Sequence, residues 1–188
     1  MVATLPHSTV LLPLLLTPGL SEEIYQFSAI RILRKFGPPG LEAFVGAAGP
    51  EDLGHETPAS EALAQALRRE PLRILVLGPG TNIGTVLIQH PELADRMVEL
   101  VAVAGRRPGQ RFIVGDLKNR NLCDCNFDKD PDAFQVILDS GVPLTLTPWE
   151  ISSHVWLRAE DLDRLAQGPP AAQWLVPAAR DWLGFWQE

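Results

Sequence analysis

The sequence predicts an α/β domain with a Rossmann-like, largely parallel sheet and helices on both of its faces. Residues 72–77 form a nearly unbroken apolar run, which is typical of a parallel strand buried on both sides. The run leads through Gly78 and Gly80 into a segment of helical character, and glycine lets the backbone turn tightly or approach a ligand closely. Further apolar segments alternate with helical ones along the chain, so we expect one α/β domain over residues 1–188.

The first half of the chain contains two segments of helical character with a short apolar run between them. These elements are expected at residues 21–36, 41–45 and 58–69. Ser21 suits the N-cap of the first helix, and the Gly-Pro-Pro-Gly stretch that follows Phe36 ends it. Thr57 and Pro58 suit the N-cap and the first helical position of the second helix.

The second half of the chain continues the alternation of strands and helices. Strands are expected at residues 72–77, 97–104 and 143–147, and helices at residues 82–89 and 131–140. Asp130 followed by Pro131 is a typical start for the last of these helices. Three tryptophans recur at helical spacing near the end of the chain, which favours a buried helix face over a substrate platform. They are Trp174, Trp182 and Trp186.

Composition excludes several classes of partner. The net charge of −7 leaves no basic surface of the kind that binds nucleic acid or an anionic membrane. The apolar run at residues 10–16 is interrupted by Pro13 and is far shorter than a membrane span. Cys123 and Cys125 fit neither a disulfide framework nor a C-x-x-C redox motif, which favours a reducing compartment. We therefore expect a cytoplasmic protein whose partner is a small molecule.

Ligands of parallel α/β sheets bind beyond the carboxyl ends of the strands. Three segments, residues 78–82, 105–126 and 148–153, should therefore meet at one edge of the sheet. The spacing of Gly78, Gly80 and Gly84 is similar to the nucleotide loop of dinucleotide-binding or methyl-transferring domains. Such domains place an acidic residue at the end of the next strand, and this sequence has none there. A nucleotide-cofactor domain is therefore the less favoured alternative.

Two linked motifs support a more specific hypothesis. The first is the G-P-x-T-N pattern at residues 78–82, and the second is the N-F-x-x-D-P pattern at residues 126–131. The segment Leu-Asp-Ser-Gly-Val-Pro-Leu-Thr-Leu follows at residues 138–146. In order and in spacing, residues 28–165 resemble the nucleoside hydrolase family, and the two motifs are much more specific together than either is alone.

The resemblance implies hydrolysis of the N-glycosidic bond of ribonucleosides to ribose and free base, assisted by a calcium ion. It implies that Thr81 gives its main-chain carbonyl to calcium and that Asn126 hydrogen-bonds the ribose hydroxyls. Asp124 matches a family position that contacts the sugar, where many relatives have a glutamate. Asn82 is a further candidate for substrate binding, although its place after the glycines favours a structural role in the turn. The resemblance also implies a possible homo-oligomer.

The catalytic residues cannot be assigned from the sequence. Members of the family begin with a strand followed by an aspartate-rich element, whereas residues 1–20 contain no acidic residue. Asp128, Asp130 and Asp132 alternate as in a calcium loop, but Pro131 among them favours helix capping. The resemblance further implies a later catalytic segment, which does not occur in these 188 residues. We therefore expect a partial nucleoside hydrolase fold that lacks both the N-terminal aspartate cluster with its general base and the C-terminal catalytic segment. An inactive ribose- or nucleoside-binding remnant is the main alternative to an enzyme.

Overall fold

The computed structural model describes residues 32–40, 42–111 and 123–187, and the side chains of the last segment up to residue 184. Within these residues a three-stranded sheet forms the centre of the fold. Its strands are β1 (Leu72–Val76), β2 (Met97–Ala102) and β3 (Leu144–Leu146), and they lie in the order β1-β2-β3. Both neighbouring pairs are parallel, which confirms the predicted α/β class with a parallel sheet.

In addition to the helical residues 32–36, six helices accompany the sheet in the described residues. They are α1 (Pro58–Arg69), α2 (Thr81–Gln89), α3 (Pro131–Asp139), α4 (Trp149–Ser152), α5 (Ala159–Leu165) and α6 (Pro170–Gln187), with 3₁₀ turns at Pro50–Asp52 and Pro91–Arg96. Thr57 caps α1, because its hydroxyl oxygen accepts a hydrogen bond from the backbone N–H of Ser60, as the sequence predicted. None of these helices has the length and the hydropathy that crossing a bilayer requires.

Two predictions fall near the start of the described chain. Residues 32–36 are helical, whereas residues 21–31 of the predicted first helix lie outside the described residues. The strand predicted at residues 41–45 is not present in the four of its residues that the structure describes. They contain a single bridge residue at Ala43, and Leu41 lies outside the described residues.

The hydrophobic core lies on one face of the sheet. Alternate residues of β1, namely Leu72, Ile74 and Val76, are buried there. Helices α1, α2 and α3 contribute side chains to the same cluster, and together with the strands they enclose it. The helical members of the cluster are Leu63, Ala64, Ala66, Leu67, Ile83, Val86, Leu87, Phe134 and Ile137.

The prediction that β1 is buried on both sides is wrong. Leu75 is 68% exposed, and Arg73 is exposed beside it. A polar ladder crosses this outer face, because Arg73 lies 3.6 Å from the carboxylate of Glu99 and the Thr145 hydroxyl donates to that carboxylate at 2.8 Å. Arg73 interrupts the apolar run at an outward position, and its charge is satisfied by Glu99 rather than by an overlying helix.

The prediction of a buried tryptophan face on α6 is also wrong for the side chains that the structure describes. Trp174 is 37% exposed and Trp182 is 61% exposed, whereas the side chain of Trp186 lies outside the described residues. Trp174 packs against Phe36, with 5.8 Å between the ring centroids. Helical spacing placed the indoles on one side of α6, but it could not show how much of that side would be covered.

Candidate functional site

The glycines after β1 permit close packing between α2 and α3. A Cβ atom on Gly80 would lie 2.9 Å from Cδ1 of Ile137, and one on Gly84 would lie 3.3 Å from Cα of Ala133. The sequence suggested that Gly80 lets the backbone approach a ligand, but the close approach in the structure is to α3. Helix packing therefore explains the glycines at positions 80 and 84, which weakens the support for a nucleotide-cofactor loop.

Thr81 is the first residue of α2. A side chain from the connection between β2 and β3 holds it in place. Its hydroxyl donates a hydrogen bond to Oδ2 of Asp130, and both residues are 1% exposed. The other carboxylate oxygen of Asp130 accepts from the backbone N–H of Ala133 at 3.0 Å and so caps α3. The capping role predicted for Asp130 is confirmed. The role of the Thr81 carbonyl in binding calcium stays a prediction.

Asn82 holds the long loop that precedes α1. Its Oδ1 accepts hydrogen bonds from the backbone N–H of Ala47 and from the hydroxyl of Thr57, each at 3.0 Å. The residue is 4% exposed. Thr85, one turn further along α2, accepts from the backbone N–H of Gly54 at 3.0 Å. Asn82 therefore has the structural role that its position after the glycines predicted. Its contact with substrate stays a prediction.

Asp124 organises the segment that carries the second motif. One of its carboxylate oxygens accepts from the backbone N–H of Gly105 at 2.7 Å. The other accepts from the backbone N–H groups of Asn126 and Phe127 at 2.9 and 3.2 Å. With Asp124 only 5% exposed, its carboxylate is engaged by the main chain on both oxygens. Its predicted contact with a sugar is not visible in this geometry and stays a prediction.

Asn126 has an acceptor oxygen that is paired with none of the described residues. Its side-chain N–H donates to the backbone carbonyl of Val103 at 2.5 Å, just beyond the end of β2. Its carboxamide oxygen has no hydrogen bond to any residue that the structure describes. The NH₂ group therefore holds the side chain in place, and the oxygen of the same carboxamide can accept a hydrogen bond from a ligand hydroxyl.

The structure describes the segments expected at the carboxyl edge of the sheet except for residues 112–122, and it links residues 105–111 directly both to residues 123–126 and to residues 148–153. Residues 78–82 reach this edge through Asp130, which lies just outside the predicted segments. The hydrogen bond between Thr81 and Asp130 joins the end of β1 to the second motif. Gly105, beyond the end of β2, donates to Asp124, and its carbonyl accepts from the backbone N–H of Trp149, beyond β3, at 2.9 Å. Residues 103–107 are thus contacted both by residues 124–126 and by residues 149–150.

Glu150 is a residue of this edge that the sequence analysis did not single out. Its Oε1 accepts from the backbone N–H of Arg107 at 2.8 Å, and the Arg107 guanidinium lies 3.5 Å away. Its Oε2 is buried and has no hydrogen-bond partner among the residues that the structure describes. A hydrogen bond from the backbone N–H of Glu150 itself, aided by the N–H and the charge of Arg107, lowers the pKa of the carboxyl below its ordinary value. The sequence signal that could have identified Glu150 is its position just after the third strand.

The described residues do not provide the calcium site that the resemblance implies. They contain no group of three or more His, Cys, Asp or Glu side chains that could hold a metal ion. Calcium takes six to eight oxygen ligands, several of them carboxylates. The two buried aspartates near the site, Asp124 and Asp130, already accept hydrogen bonds on both oxygens. No step of a reaction is therefore assigned to calcium here.

A parallel sheet with polar side chains gathered at its carboxyl edge defines a Rossmann-like α/β protein, a class whose ligands bind at this edge. The family model for inosine-uridine preferring nucleoside hydrolases matches residues 22–188. The chain therefore belongs to the nucleoside hydrolase family.

Individual relatives agree with this membership. Pyrimidine-specific ribonucleoside hydrolase RihA from Citrobacter koseri is 29% identical over 117 residues, which are 61% of this chain and 35% of the relative. The protein of the same description from Shewanella oneidensis is 28% identical over 113 residues, which are 59% of this chain and 33% of the relative. The aligned part is thus about a third of the length of these curated relatives.

Two solved structures share the fold. A purine-preferring ribonucleoside hydrolase from Gardnerella vaginalis superposes with a TM-score of 0.62 at 19% identity, covering 79% of this chain and 55% of the other. A plant nucleoside hydrolase, PpNRh1, superposes with a TM-score of 0.66 at 18% identity, covering 84% of this chain and 57% of the other. At this identity the superpositions establish the fold.

Proposed function

We propose that this protein hydrolyses the N-glycosidic bond of ribonucleosides to give ribose and the free base. The observation that carries the proposal is the family match over residues 22–188, which includes all the segments that meet at the carboxyl edge of the sheet. The relatives are described as pyrimidine-specific in one case and purine-preferring in another. The ribonucleoside is what those descriptions share, so it is the substrate class that we propose.

The geometry supports a specific role for Asn126. Breaking the N-glycosidic bond gives the ribose oxocarbenium character, and hydrogen bonds to the sugar hydroxyls then stabilise the transition state. The carboxamide of Asn126 is anchored on Val103 and keeps its oxygen available. We propose that this oxygen accepts a hydrogen bond from a ribose hydroxyl. Asp124, whose carboxylate holds Gly105 and Asn126, then acts by positioning the loop that presents this oxygen.

Binding without turnover is the second candidate function. It is favoured by the finding that the described residues provide no set of acidic side chains for a metal. Hydrolysis would need calcium ligands and a general base from beyond the described residues. The calcium requirement implied by the family, with the Thr81 carbonyl as one ligand, is therefore part of the proposal that experiment must decide.

Further proposals follow from the composition and the fold. We propose one domain over the whole chain, of which the described residues form the sheet and its carboxyl edge. The acidic balance and the two free cysteines support a cytoplasmic location. Self-association into a homo-oligomer is proposed from the family resemblance alone, and sedimentation velocity would test it.

The experiment is release of base from inosine and uridine by the purified chain, in added calcium and in a chelator. Asn126→Ala and the exposed helix variant Gln135→Ala are compared with the parent. Calcium-dependent release that falls in Asn126→Ala and not in Gln135→Ala supports hydrolysis. No release, together with thermal stabilisation by uridine or ribose, supports binding alone. No release and no stabilisation, in a folded sample, contradicts both functions.

A further inference from the structure

Among the residues that the structure describes, a single buried side-chain oxygen or nitrogen lacks a hydrogen bond, and it is Oε2 of Glu150. Buried polar groups in folded proteins are almost always paired, since leaving one unpaired is unfavourable. The group is moreover one half of a carboxylate, which attracts a donor more strongly than a neutral oxygen does. The residues that the structure describes therefore leave this atom free to accept a hydrogen bond.

The position of Glu150 makes a ligand the appropriate partner. Its other oxygen is fixed by the backbone N–H of Arg107, and the preceding residue, Trp149, donates to the carbonyl of Gly105. Residues 103–107 also hold the anchored amide of Asn126. Glu150 and Asn126 thus approach the same short segment of main chain from β3 and from the second motif. Each has one oxygen at the carboxyl edge that no described residue pairs.

The chemistry of the two oxygens determines what they can bind. Both are acceptors, because the amide oxygen has no proton to give and the hydrogen bonds from N–H groups keep the pKa of Glu150 low. A sugar has several hydroxyl donors close together and suits such a pair. A lone carboxylate is a poor metal site, because metal ions of this kind require several oxygen ligands.

We propose that Oε2 of Glu150 accepts a hydrogen bond from a hydroxyl of the ribose, beside the hydroxyl contact of Asn126. The inference rests on the proposed function, because it names a second sugar contact in the same site. A carboxylate at this position also disfavours a phosphate on that hydroxyl, so the site selects nucleosides over nucleotides phosphorylated there.

The test compares dissociation constants for ribose and uridine, measured by calorimetry, in the parent and in Glu150→Gln. Glutamine has the same shape, and its carbonyl can keep the bond from Arg107 while its NH₂ replaces Oε2. Loss of a hydrogen bond to a charged group should weaken binding about tenfold or more. Glu99→Gln is the matched control, because Glu99 is a hydrogen-bonded, ion-paired glutamate on the outer face of β2. It should leave the constants unchanged.

Deoxy analogues distinguish a sugar contact from a change in loop structure. If Glu150 accepts from one hydroxyl, the uridine analogue lacking that hydroxyl binds the parent and Glu150→Gln equally, while the other analogues still lose affinity. A uniform loss for the 2′-, 3′- and 5′-deoxy forms would instead indicate a displaced loop and would contradict the proposal. Should Glu150→Gln fail to fold by circular dichroism, Glu150→Asp, which withdraws the carboxylate by one methylene, replaces it in the same series.

The remaining outcomes separate this proposal from the proposed function. If the parent binds uridine and Glu150→Gln binds it as tightly, the assignment of Glu150 is wrong and the nucleoside site stands. If the folded parent binds neither ribose nor uridine, both are wrong. If calcium alone binds the parent and not Glu150→Gln, the oxygen serves a cation, and the hydroxyl assignment is overturned.

Discussion

The hydroxyl of Thr81 donates a hydrogen bond to the carboxylate of Asp130, which lies 49 positions further along the chain. Thr81 is the first residue of α2, and Asp130 is the N-cap of α3. Both residues are buried, so the bond is formed away from water. It joins the connection between β1 and β2 to the connection between β2 and β3, at the edge of the sheet where the candidate site lies.

Replacement of Asp130 should be among the more destabilising changes at this edge. Asp130→Ala removes the cap of α3 and leaves the buried Thr81 hydroxyl without its acceptor, which together should cost about 2–4 kcal/mol. Urea denaturation measures the loss. Asp132→Ala, in the exposed first turn of the same helix, is the control and should change stability by less than about 1 kcal/mol. Equal effects of the two variants would show that the bond to Thr81 contributes little.

Two glycine-to-alanine variants should separate helix packing from helix propensity. Gly84 faces Ala133 closely, whereas a Cβ atom on Gly184 of α6 would meet nothing within 4 Å. Alanine favours a helix by about 1 kcal/mol over glycine, but overpacking costs about 1–3 kcal/mol. Gly184→Ala should therefore be neutral or stabilising, and Gly84→Ala should be less stable than it by about 1–3 kcal/mol. Similar unfolding free energies for the pair would contradict the packing role of Gly84.

Asn82→Ala should loosen the loop before α1. The change removes the acceptor of the Ala47 N–H and of the Thr57 hydroxyl, at a cost of about 2 kcal/mol. The loop contains Glu51 and Glu56, so cleavage by a glutamate-specific protease should become faster. Gln65→Ala, which removes only an exposed bond to Glu61, serves as the reference. Parent-like cleavage in Asn82→Ala would mean that the loop is held by other contacts.

Lowering the pH should remove the stabilisation that Asp161 contributes to the folded state. A hydrogen bond from the backbone N–H of Arg158, together with one from the side chain of Arg164, lowers the pKa of this carboxyl in the folded state. A lowered folded pKa stabilises the protein above the unfolded value of about 4, and the stabilisation is lost as the pH falls through the folded pKa. The melting temperatures of the parent and Asp161→Ala should differ at pH 6 and converge near about pH 2. A difference that is constant with pH would contradict the linkage.

Cys123 should react slowly with alkylating reagents at neutral pH. Cys123 is an exposed residue, but partial desolvation of its thiol, followed by the negative charges of Asp128 and Asp124, raises the pKa of the thiol above the ordinary value, and Lys129 opposes the shift. Less thiolate is therefore present at pH 7, and the thiolate is the reactive form. Iodoacetamide labelling of Cys125→Ser, followed by mass spectrometry, should be slower than labelling of the same protein in urea. Equal rates in the two conditions would show that the fold does not protect the thiol.

Local signals predicted much of the fold. Thr57 and Asp130 carry short side chains before a proline, and both cap the helices that the sequence assigned to them. Three of the four predicted strands were also correct to within one or two residues, because each is an apolar run between turn residues, whereas the strand predicted at residues 41–45 is not present in the four of its residues that the structure describes. These features depend on neighbours in the chain, which a single sequence records directly.

Features that depend on tertiary contacts were not predictable in the same way. The apolar character of Leu75 could not show that its side of the sheet is exposed, because exposure is decided by what packs there. The role of Gly84 requires knowing that Ala133 faces it. Glu150 had no motif around it, and its importance lies in one carboxylate oxygen whose burial and missing partner only coordinates reveal.

The exposed outer face of the sheet should affect how the protein behaves in solution. Leu75 is 68% exposed and Leu77 is 58% exposed, next to the ladder of Arg73 and Glu99. Exposed leucines near the end of a strand favour adhesion between molecules and binding of hydrophobic dyes. Concentrated solutions of the isolated chain are therefore expected to show dye fluorescence and colloidal attraction. Replacing Leu75 with lysine would be the natural first step towards a better-behaved sample for crystallisation.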